Sequence, residues 1–190
     1  MSNTGKEDLR VIRTKEAIRK TFENMLCEMD YDEISIKELS ERARINRKTF
    51  YLHYSSLDDL LRELQNEMAR DFIKRTQGLS RPHDMDKITR EFFLTCEEGG
   101  RLYEKLTCSG SFHYISRRIT NEIMSETWGA DSRKAQTDPY IQNIIMTFVS
   151  RSTIEIYKQW VTDGRKIPLD DIIRLTTQLI CKGLDQVFPS

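Results

Sequence analysis

The stretch ISIKELSERARINRKTFYLHY, residues 34–54, contains two helix starts so close together that each helix has room for only about two turns. Ser35 is a natural N-cap for the first of these helices, and Glu38, three residues later, completes the pattern of a capping box. Leu39 and Ala43 are four residues apart and predict the face of this helix that points inward.

A tight turn separates the two helices. Arg44, Ile45 and Asn46 are too few for any longer connection, and Asn46 is a natural N-cap for the second helix. Phe50 and Tyr54 are four residues apart and predict the inward face of this helix. The stretch therefore predicts a helix, a turn and a second helix, which is the helix-turn-helix motif.

The outward positions of the second helix carry hydrogen-bond donors and no acid: Arg47, Lys48, Thr49, Tyr51 and His53. Residues 42–53 contain no carboxylate at all, and Arg42 and Arg44 add to the positive charge of this segment. A short helix with such side chains can enter the major groove of DNA, where Arg and Lys donate to guanine. A basic face that is merely solvated is the alternative, but the caps and the tight turn favour DNA binding.

The whole chain has the composition of a soluble globular protein. Its 190 residues include 30 basic and 30 acidic side chains, so the net charge is zero and the cationic segment is a local feature. Residues 1–13 lack the apolar core of a signal peptide, and no apolar run approaches the length needed to span a bilayer. We expect a cytoplasmic protein that has no membrane partner.

The cysteine and histidine residues do not indicate a metal site, a disulfide or a cofactor. Cys27, Cys96, Cys108 and Cys181 lie far apart, without CxxC pairing and without histidines at ligand spacing. Reduced, buried thiols are the favoured interpretation. An enzyme built on Cys108 and His113 is a remote alternative, because no nucleophile, base and orienting acid cluster on a recognisable loop. We therefore expect no catalytic residues.

Apolar residues recur at three or four positions along nearly every segment, which predicts an all-α fold. We expect a first helix near residues 8–29, two short helices, and a fourth helix near 57–77. Gly78 to Pro82 interrupts the helical pattern and marks a domain boundary. Beyond it, we expect helices near residues 84–98, 100–108, 111–128, 139–163 and 169–187.

Residues 12–72 resemble the DNA-binding domain of the TetR family of bacterial regulators. The most specific part of the family pattern, T-[FL]-Y-x-[HY]-[FVY], matches residues 49–54. The resemblance implies that Arg47, Lys48 and Thr49 approach bases or nearby phosphates, while Tyr51, Leu52 and His53 mostly meet the DNA backbone. The complete set of expected DNA-binding residues is Ser35, Lys37, Arg44, Asn46, Arg47, Lys48, Thr49, Tyr51, Leu52 and His53.

Two positions depart from the family pattern. The turn position that is commonly Gly is Arg44 here, and a left-handed conformation at this residue would cost about 1 kcal/mol. An added phosphate contact would offset that cost. The Lys that usually opens the fourth helix is Leu57, followed by Asp58 and Asp59, although Ser56 can still cap this helix.

By the same resemblance, residues 84–190 form the C-terminal effector-binding and dimerisation domain, next to an N-terminal three-helix helix-turn-helix domain. The segments 139–163 and 169–187 carry more than one apolar stripe each. These two helices predict a four-helix interface between two copies of the chain, or alternatively a large intramolecular core. A DNA-binding protein that reads two half-sites favours the homodimer.

An effector pocket in this domain would be lined by aromatic side chains and one thiol: Phe92, Cys96, Tyr103, Tyr157 and Trp160. The alternative is that these side chains only pack in the core. The polar tips of Tyr103, Tyr157 and Trp160 favour a pocket, because a buried hydroxyl or indole N–H needs a partner.

Taken together, these features predict a homodimeric transcriptional regulator that binds a double-stranded DNA operator. The resemblance implies a repressor released by a small organic effector. A constitutive DNA binder without an effector is one alternative, and a helical adaptor that binds only protein is a remote one. The adaptor would have no use for the acid-free face of Arg47 and Lys48.

Overall fold

The computed structural model describes residues 4–79, 83–108 and 138–187, and this part of the chain contains eight α-helices and no strand. The all-α prediction is confirmed. In chain order the helices are α1 (Thr4–Glu28), α2 (Ile36–Arg42), α3 (Arg47–Tyr51), α4 (Leu57–Arg75), α5 (Met85–Glu98), α6 (Gly100–Cys108), α7 (Pro139–Thr162) and α8 (Leu169–Val187). A 3₁₀-helix, Tyr31–Glu33, lies between α1 and α2. The helix predicted near residues 111–128 and the residues Ser80 to Pro82 of the predicted boundary lie outside the described residues.

These helices group into two compact units, Met1–Gln65 and Asn66–Ser190. Helix α4 begins in the first unit and ends in the second without interruption. The first unit therefore contains α1, α2, α3 and the beginning of α4, while the second contains the end of α4 and all later helices.

Apolar side chains from all four helices form the core of the first unit. The fully or almost fully buried members are Ile18, Phe22, Met25, Leu39, Phe50, Leu60, Leu61 and Leu64. Ile18, Phe22 and Met25 lie on one face of α1, as their spacing of three and four residues requires. The short helices α2 and α3 each contribute one fully buried apolar side chain, Leu39 and Phe50.

The predicted caps fix both helices of the helix-turn-helix. The Ser35 hydroxyl accepts a hydrogen bond from the backbone N–H of Glu38 at 3.2 Å. The side-chain oxygen of Asn46 accepts one from the backbone N–H of Lys48 at 2.9 Å. Between them, Arg44 has a φ of 55°, which is the left-handed conformation that glycine adopts more easily.

In the second unit, α5 packs against α6 and α8, and α7 packs against α6 and α8. One buried cluster joins Met85 and Ile88 of α5 to Val149 of α7 and Ile180 of α8. A second cluster consists of aromatic rings in edge or tilted contact: Phe72, Phe92, Phe93, Tyr157 and Trp160. Phe72 is the member of this cluster that belongs to α4, and the centroid of its ring lies 6.1 Å from the centroid of the Phe92 ring.

The conformation of Arg44 generates a prediction about stability. Replacing Arg44 with Gly removes the steric cost of the left-handed conformation, roughly 1–2 kcal/mol, at a smaller cost in chain entropy. We expect Arg44→Gly to raise the free energy of unfolding by about 0.5–1 kcal/mol in urea denaturation. Arg44→Ala is the matched control, because it also removes the guanidinium but keeps a Cβ atom. Equal stability of the two variants would contradict the explanation by backbone strain.

Candidate nucleic-acid interface

Helix α3 divides its side chains sharply between the core and the surface. Phe50 is fully buried, and Tyr54 just after the helix is 5% exposed. On the other side, Tyr51 is 57% and Leu52 82% exposed, so both side chains are accessible to a partner. Arg47 and Lys48 are exposed at the first turn, while Thr49 and His53 are half-buried.

The charged groups around this face are not equally available to a ligand. Within the described part of the chain, Lys37, Arg44, Arg47 and Lys48 have no ion pair and no side-chain hydrogen bond. All four are exposed. The structure therefore presents four unpaired cations on α2, on the turn and on α3.

Arg42 does not add to the unpaired positive charge of residues 42–53, contrary to the expectation from the sequence. Its guanidinium pairs with Glu28 at 2.5 Å and with Glu38 at 2.8 Å. Hydrogen bonding to Glu28 is the main reason why the pKa of Arg42 is raised. This arginine ties α2 to the end of α1 instead of adding to the free positive charge.

Two of the predicted site residues already have structural roles. The Ser35 hydroxyl and the side-chain carbonyl of Asn46 cap their helices by accepting hydrogen bonds from backbone N–H groups. Their remaining donors, the hydroxyl hydrogen of Ser35 and the amide NH₂ of Asn46, are on exposed residues. Both residues can therefore donate to an acceptor without giving up their caps.

Both carboxylates at the start of α4 have hydrogen-bond partners within the chain, and one of them also has a cationic partner. Asp58 accepts a short hydrogen bond from the Tyr31 hydroxyl, and burial together with this bond raises the pKa of Tyr31. Asp59 accepts from the backbone N–H of Ser55 at 3.2 Å and pairs with Arg62 at 3.1 Å. Ser56 caps the helix by accepting from the N–H of Asp59 at 3.2 Å, as its position in the sequence predicts.

In the second unit, three of the five predicted effector residues lie together. Phe92 is 5.9 Å from Tyr157, and Tyr157 is 6.0 Å from Trp160, between ring centroids. The polar tips have partners within the chain: the Tyr157 hydroxyl donates to Glu97 at 2.9 Å, and the Trp160 indole N–H donates to the carbonyl of Ile167 at 2.7 Å. Neither the Tyr157 hydroxyl nor the Trp160 indole therefore needs a ligand as its hydrogen-bond partner.

Cys96 and Tyr103 have different surroundings. The fully buried Cys96 thiol lies 3.6 Å from the Thr107 hydroxyl, and burial raises the pKa of the thiol to about 12. Tyr103 packs against the backbone of Gly99, where a Cβ atom would lie only 2.1 Å from the tyrosine ring. Gly99 therefore allows this close approach.

An ionic cluster that the sequence does not predict lies beside the aromatic rings. The Arg165 guanidinium pairs with Glu97 at 3.1 Å and with Glu104 at 2.5 Å, and it lies 5.4 Å from the centroid of the Trp160 ring. Arg165 also has a left-handed backbone, with a φ of 54°. Only its position directly after Gly164, at the end of an apolar helix, could have marked it in the sequence.

The described residues contain no group of three or more His, Cys, Asp or Glu side chains arranged to hold a metal ion. Cys108 is exposed, and His113 lies outside the described residues, so the remote alternative of an enzyme built on these two residues is not tested. Among the helices described above, none is both long and apolar enough to cross a membrane.

Comparison with known proteins identifies both parts of the chain. Residues 23–64 match the family described as bacterial regulatory proteins, tetR family. Residues 83–182 match the family described as transcriptional regulator C-terminal region, TetR_C_8. The second match alone spans more than half of the chain.

Individual relatives agree with these matches. An uncharacterized HTH-type transcriptional regulator of Bacillus subtilis (strain 168), YxbF, is 35% identical over 78 residues, which are 40% of this chain and only 20% of that protein. A TetR transcriptional regulator from Streptococcus agalactiae 2603V has a similar structure, with a TM-score of 0.72 and 22% identity over 94% of this chain and 99% of that one. The dihydroxyacetone kinase operon activator DhaS aligns with a TM-score of 0.57 and 17% identity, over 94% and 99% of the two chains.

The helix-turn-helix geometry and the matches over both halves lead to one conclusion. This chain belongs to the TetR family of bacterial transcriptional regulators, which are DNA-binding proteins and not enzymes.

Proposed function

We propose that this protein is a homodimeric regulator that reads a double-stranded DNA operator with α3 of each copy. The observation that carries the proposal is the outward face of α3, where Arg47 and Lys48 are exposed and have no acidic partner among the described residues. We assign DNA binding to residues 12–72, and effector binding and dimerisation to residues 84–190. The protein acts as a repressor that a small organic effector releases from DNA.

Position along the motif separates base contacts from phosphate contacts. The first residues of a recognition helix approach base edges in the major groove, so Arg47 and Lys48 are the donors to guanine. Lys37 on α2 and Arg44 in the turn lie outside this helix and meet phosphates. Thr49, Tyr51 and His53 supply further hydrogen bonds to the DNA backbone, while Leu52 contributes apolar contact and Ser35 and Asn46 donate from the helix starts.

This assignment predicts different results for three variants. Arg47→Ala and Lys48→Ala should each cost about 1–3 kcal/mol of operator binding and relax the preference at one position per half-site. Lys37→Ala should weaken all duplexes alike. Binding-site selection from a random-sequence library measures both effects, and identical preferred sequences for all three variants would contradict the assignment.

Salt dependence supplies an independent check on the same proposal. With Lys37 and Arg44 of both protomers on phosphates, about four phosphates are neutralised, so the logarithm of affinity should fall with the logarithm of salt concentration with a slope near −4. A slope near zero would remove the electrostatic basis of the proposal. Wild-type protein and a duplex from the selection are sufficient for this measurement.

Exposed apolar side chains on the last two helices support the homodimer. Ile144 is 69% and Phe148 53% exposed on α7, and Leu179 is 58% exposed on α8. Further exposed members of this surface are Tyr140, Ile141 and Leu175. Apolar stripes on two neighbouring helices can pair with the same stripes of a second copy and form a four-helix interface.

A charge on this surface should separate the two copies. We expect Ile144→Glu or Phe148→Glu to weaken dimerisation by roughly tenfold or more, since each substitution occurs twice in a two-fold interface. Asn143→Glu is the matched control, because it adds the same charge to an exposed polar residue that is rotated about 100° from Ile144 around the helix. Sedimentation velocity over a dilution series gives the result, and an unchanged dimer in both variants would contradict the proposed interface.

The aromatic cluster supports an effector site in the second unit. Phe92, Tyr157 and Trp160 provide apolar and aromatic surface, and Glu97 and Arg165 place charged groups next to it. Cys96 and Tyr103 lie on the neighbouring α5 and α6, and we include them in the site. Because Phe72 joins this cluster from α4, a ligand that shifts the rings also acts on the helix that begins in the DNA-binding unit.

Linkage predicts that an effector and the operator weaken each other by the same factor. Calorimetry should therefore show lower effector affinity when the operator duplex is bound. Tyr157→Phe, which removes only the hydroxyl, should change effector affinity without changing operator affinity. Equal effector affinity with and without DNA would leave the chain a constitutive DNA binder.

Activation of transcription is the alternative to repression, because the structural relative DhaS is an operon activator. A reporter gene behind the bound promoter distinguishes the two functions. Deletion of this regulator should raise expression if it is a repressor and lower it if it is an activator.

A further inference from the structure

Glu63 on α4 connects three elements of the first unit. Its carboxylate pairs with the ammonium group of Lys15 on α1 at 2.8 Å and accepts a hydrogen bond from the Tyr54 hydroxyl at 3.3 Å. The Lys15 ammonium also lies 5.6 Å from the centroid of the Tyr54 ring. Lys15, Glu63 and Tyr54 therefore form one contact group, which we call the α4 anchor.

Tyr54 links this anchor to the recognition helix. Its backbone N–H donates to the carbonyl of Phe50 at 3.0 Å, and the two rings lie 5.8 Å apart between centroids. Phe50 belongs to α3 and is fully buried, while Tyr54 is almost fully buried. The position of Tyr54 thus determines where the C-terminal end of α3 lies.

Helix α3 needs such a support because it contains only five residues. A helix of this length has no stability of its own and takes its orientation from the groups packed against it. Its N-terminal end is fixed by the Asn46 cap, and its C-terminal end by Phe50 and Tyr54.

The ion pair itself contributes little to folding. The side chains of Lys15 and Glu63 are 46% and 28% exposed, and partly exposed pairs add only slightly to stability because water screens them. The contact between Lys15, Glu63 and Tyr54 instead fixes the position of Tyr54. Loss of this contact should therefore reduce the specificity of DNA binding more than the melting temperature.

We propose that Glu63 and Tyr54 are positioning residues for DNA recognition, although neither belongs to the set that contacts DNA. They hold α3 at the angle that its base contacts require. The inference rests on the proposed role of α3 as the reading helix. Contacts to bases depend on fractions of an ångström, whereas attraction to phosphates extends over several ångströms, so misorientation reduces specificity before it reduces general DNA affinity.

The test uses the full-length protein with two duplexes: one returned by selection from a random-sequence library, and one of the same composition with its sequence shuffled. Tyr54→Phe removes the hydroxyl and keeps the ring. We expect the ratio of the two affinities to fall roughly tenfold, with an unchanged salt slope, because no phosphate contact is lost.

Substitutions of Glu63 provide the rescue. Glu63→Ala should lower the affinity ratio as Tyr54→Phe does, and Glu63→Gln should restore most of it, because the amide oxygen still accepts from the Tyr54 hydroxyl. The control is Glu23→Gln, which makes the same change of charge in the same unit at a residue paired with Arg19 on α1. Its affinity ratio should equal that of the wild type.

Three results overturn the inference. An unchanged ratio in Tyr54→Phe and Glu63→Ala shows that the anchor does not position α3. Parallel losses on both duplexes, together with a lower melting temperature, show a purely structural role. A library that returns no preferred duplex removes the proposed reading function itself, and the positioning role with it.

Discussion

The burial of Phe50 is the contact on which the proposed DNA-binding surface depends. It is the one fully buried apolar side chain that α3 contributes to the core, and the rest of this five-residue helix faces water or lies at the boundary. A helix of five residues has too few internal hydrogen bonds to be stable without the packing of Phe50. The exposed cations on its outer side are therefore held in place by the Phe50 ring, by the Tyr54 ring in contact with it, by the Asn46 cap and by the turn before the helix.

Local patterns predicted the helix-turn-helix almost completely. Ser35, Asn46 and Ser56 cap the helices that their positions indicate, and the left-handed conformation considered for Arg44 is present. These features depend on neighbours within four residues, so the sequence contains all the information that they require. The same is true of the alternation between buried Phe50 and exposed Tyr51 and Leu52.

Contacts between distant residues could not be predicted in this way. The pair of Arg42 with Glu38 follows from the spacing of four residues on one helix, but its pair with Glu28, fourteen positions earlier on another helix, does not. Arg165 likewise pairs with Glu97, which lies sixty-eight positions away in the sequence. The spacing of residues along one helix shows which face is apolar, but it does not show which distant carboxylate will lie opposite an arginine.

In the second unit, one helix carries ionic contacts to several others. Arg75 at the end of α4 pairs with Glu98 of α5 at 2.6 Å, while Arg90 of α5 pairs with Asp170 of α8 at 3.0 Å. Glu97 of α5 receives Arg165 from the turn after α7. Helix α5 thus has ionic contacts with α4, which begins in the first unit, with α8, and with the turn after α7.

The short length of α3 also limits how many base pairs of DNA one copy of the chain can distinguish. Three or four outward side chains at the start of a helix distinguish about three base pairs, which is about six bits, and such a match recurs by chance about once in 64 positions. A bacterial chromosome offers on the order of 10⁶ competing positions. Even two such helices at a fixed spacing specify only about twelve bits. In the proposed complex of the dimer with its operator, the remaining discrimination is then left to the stiffness and groove width of the DNA between the two half-sites.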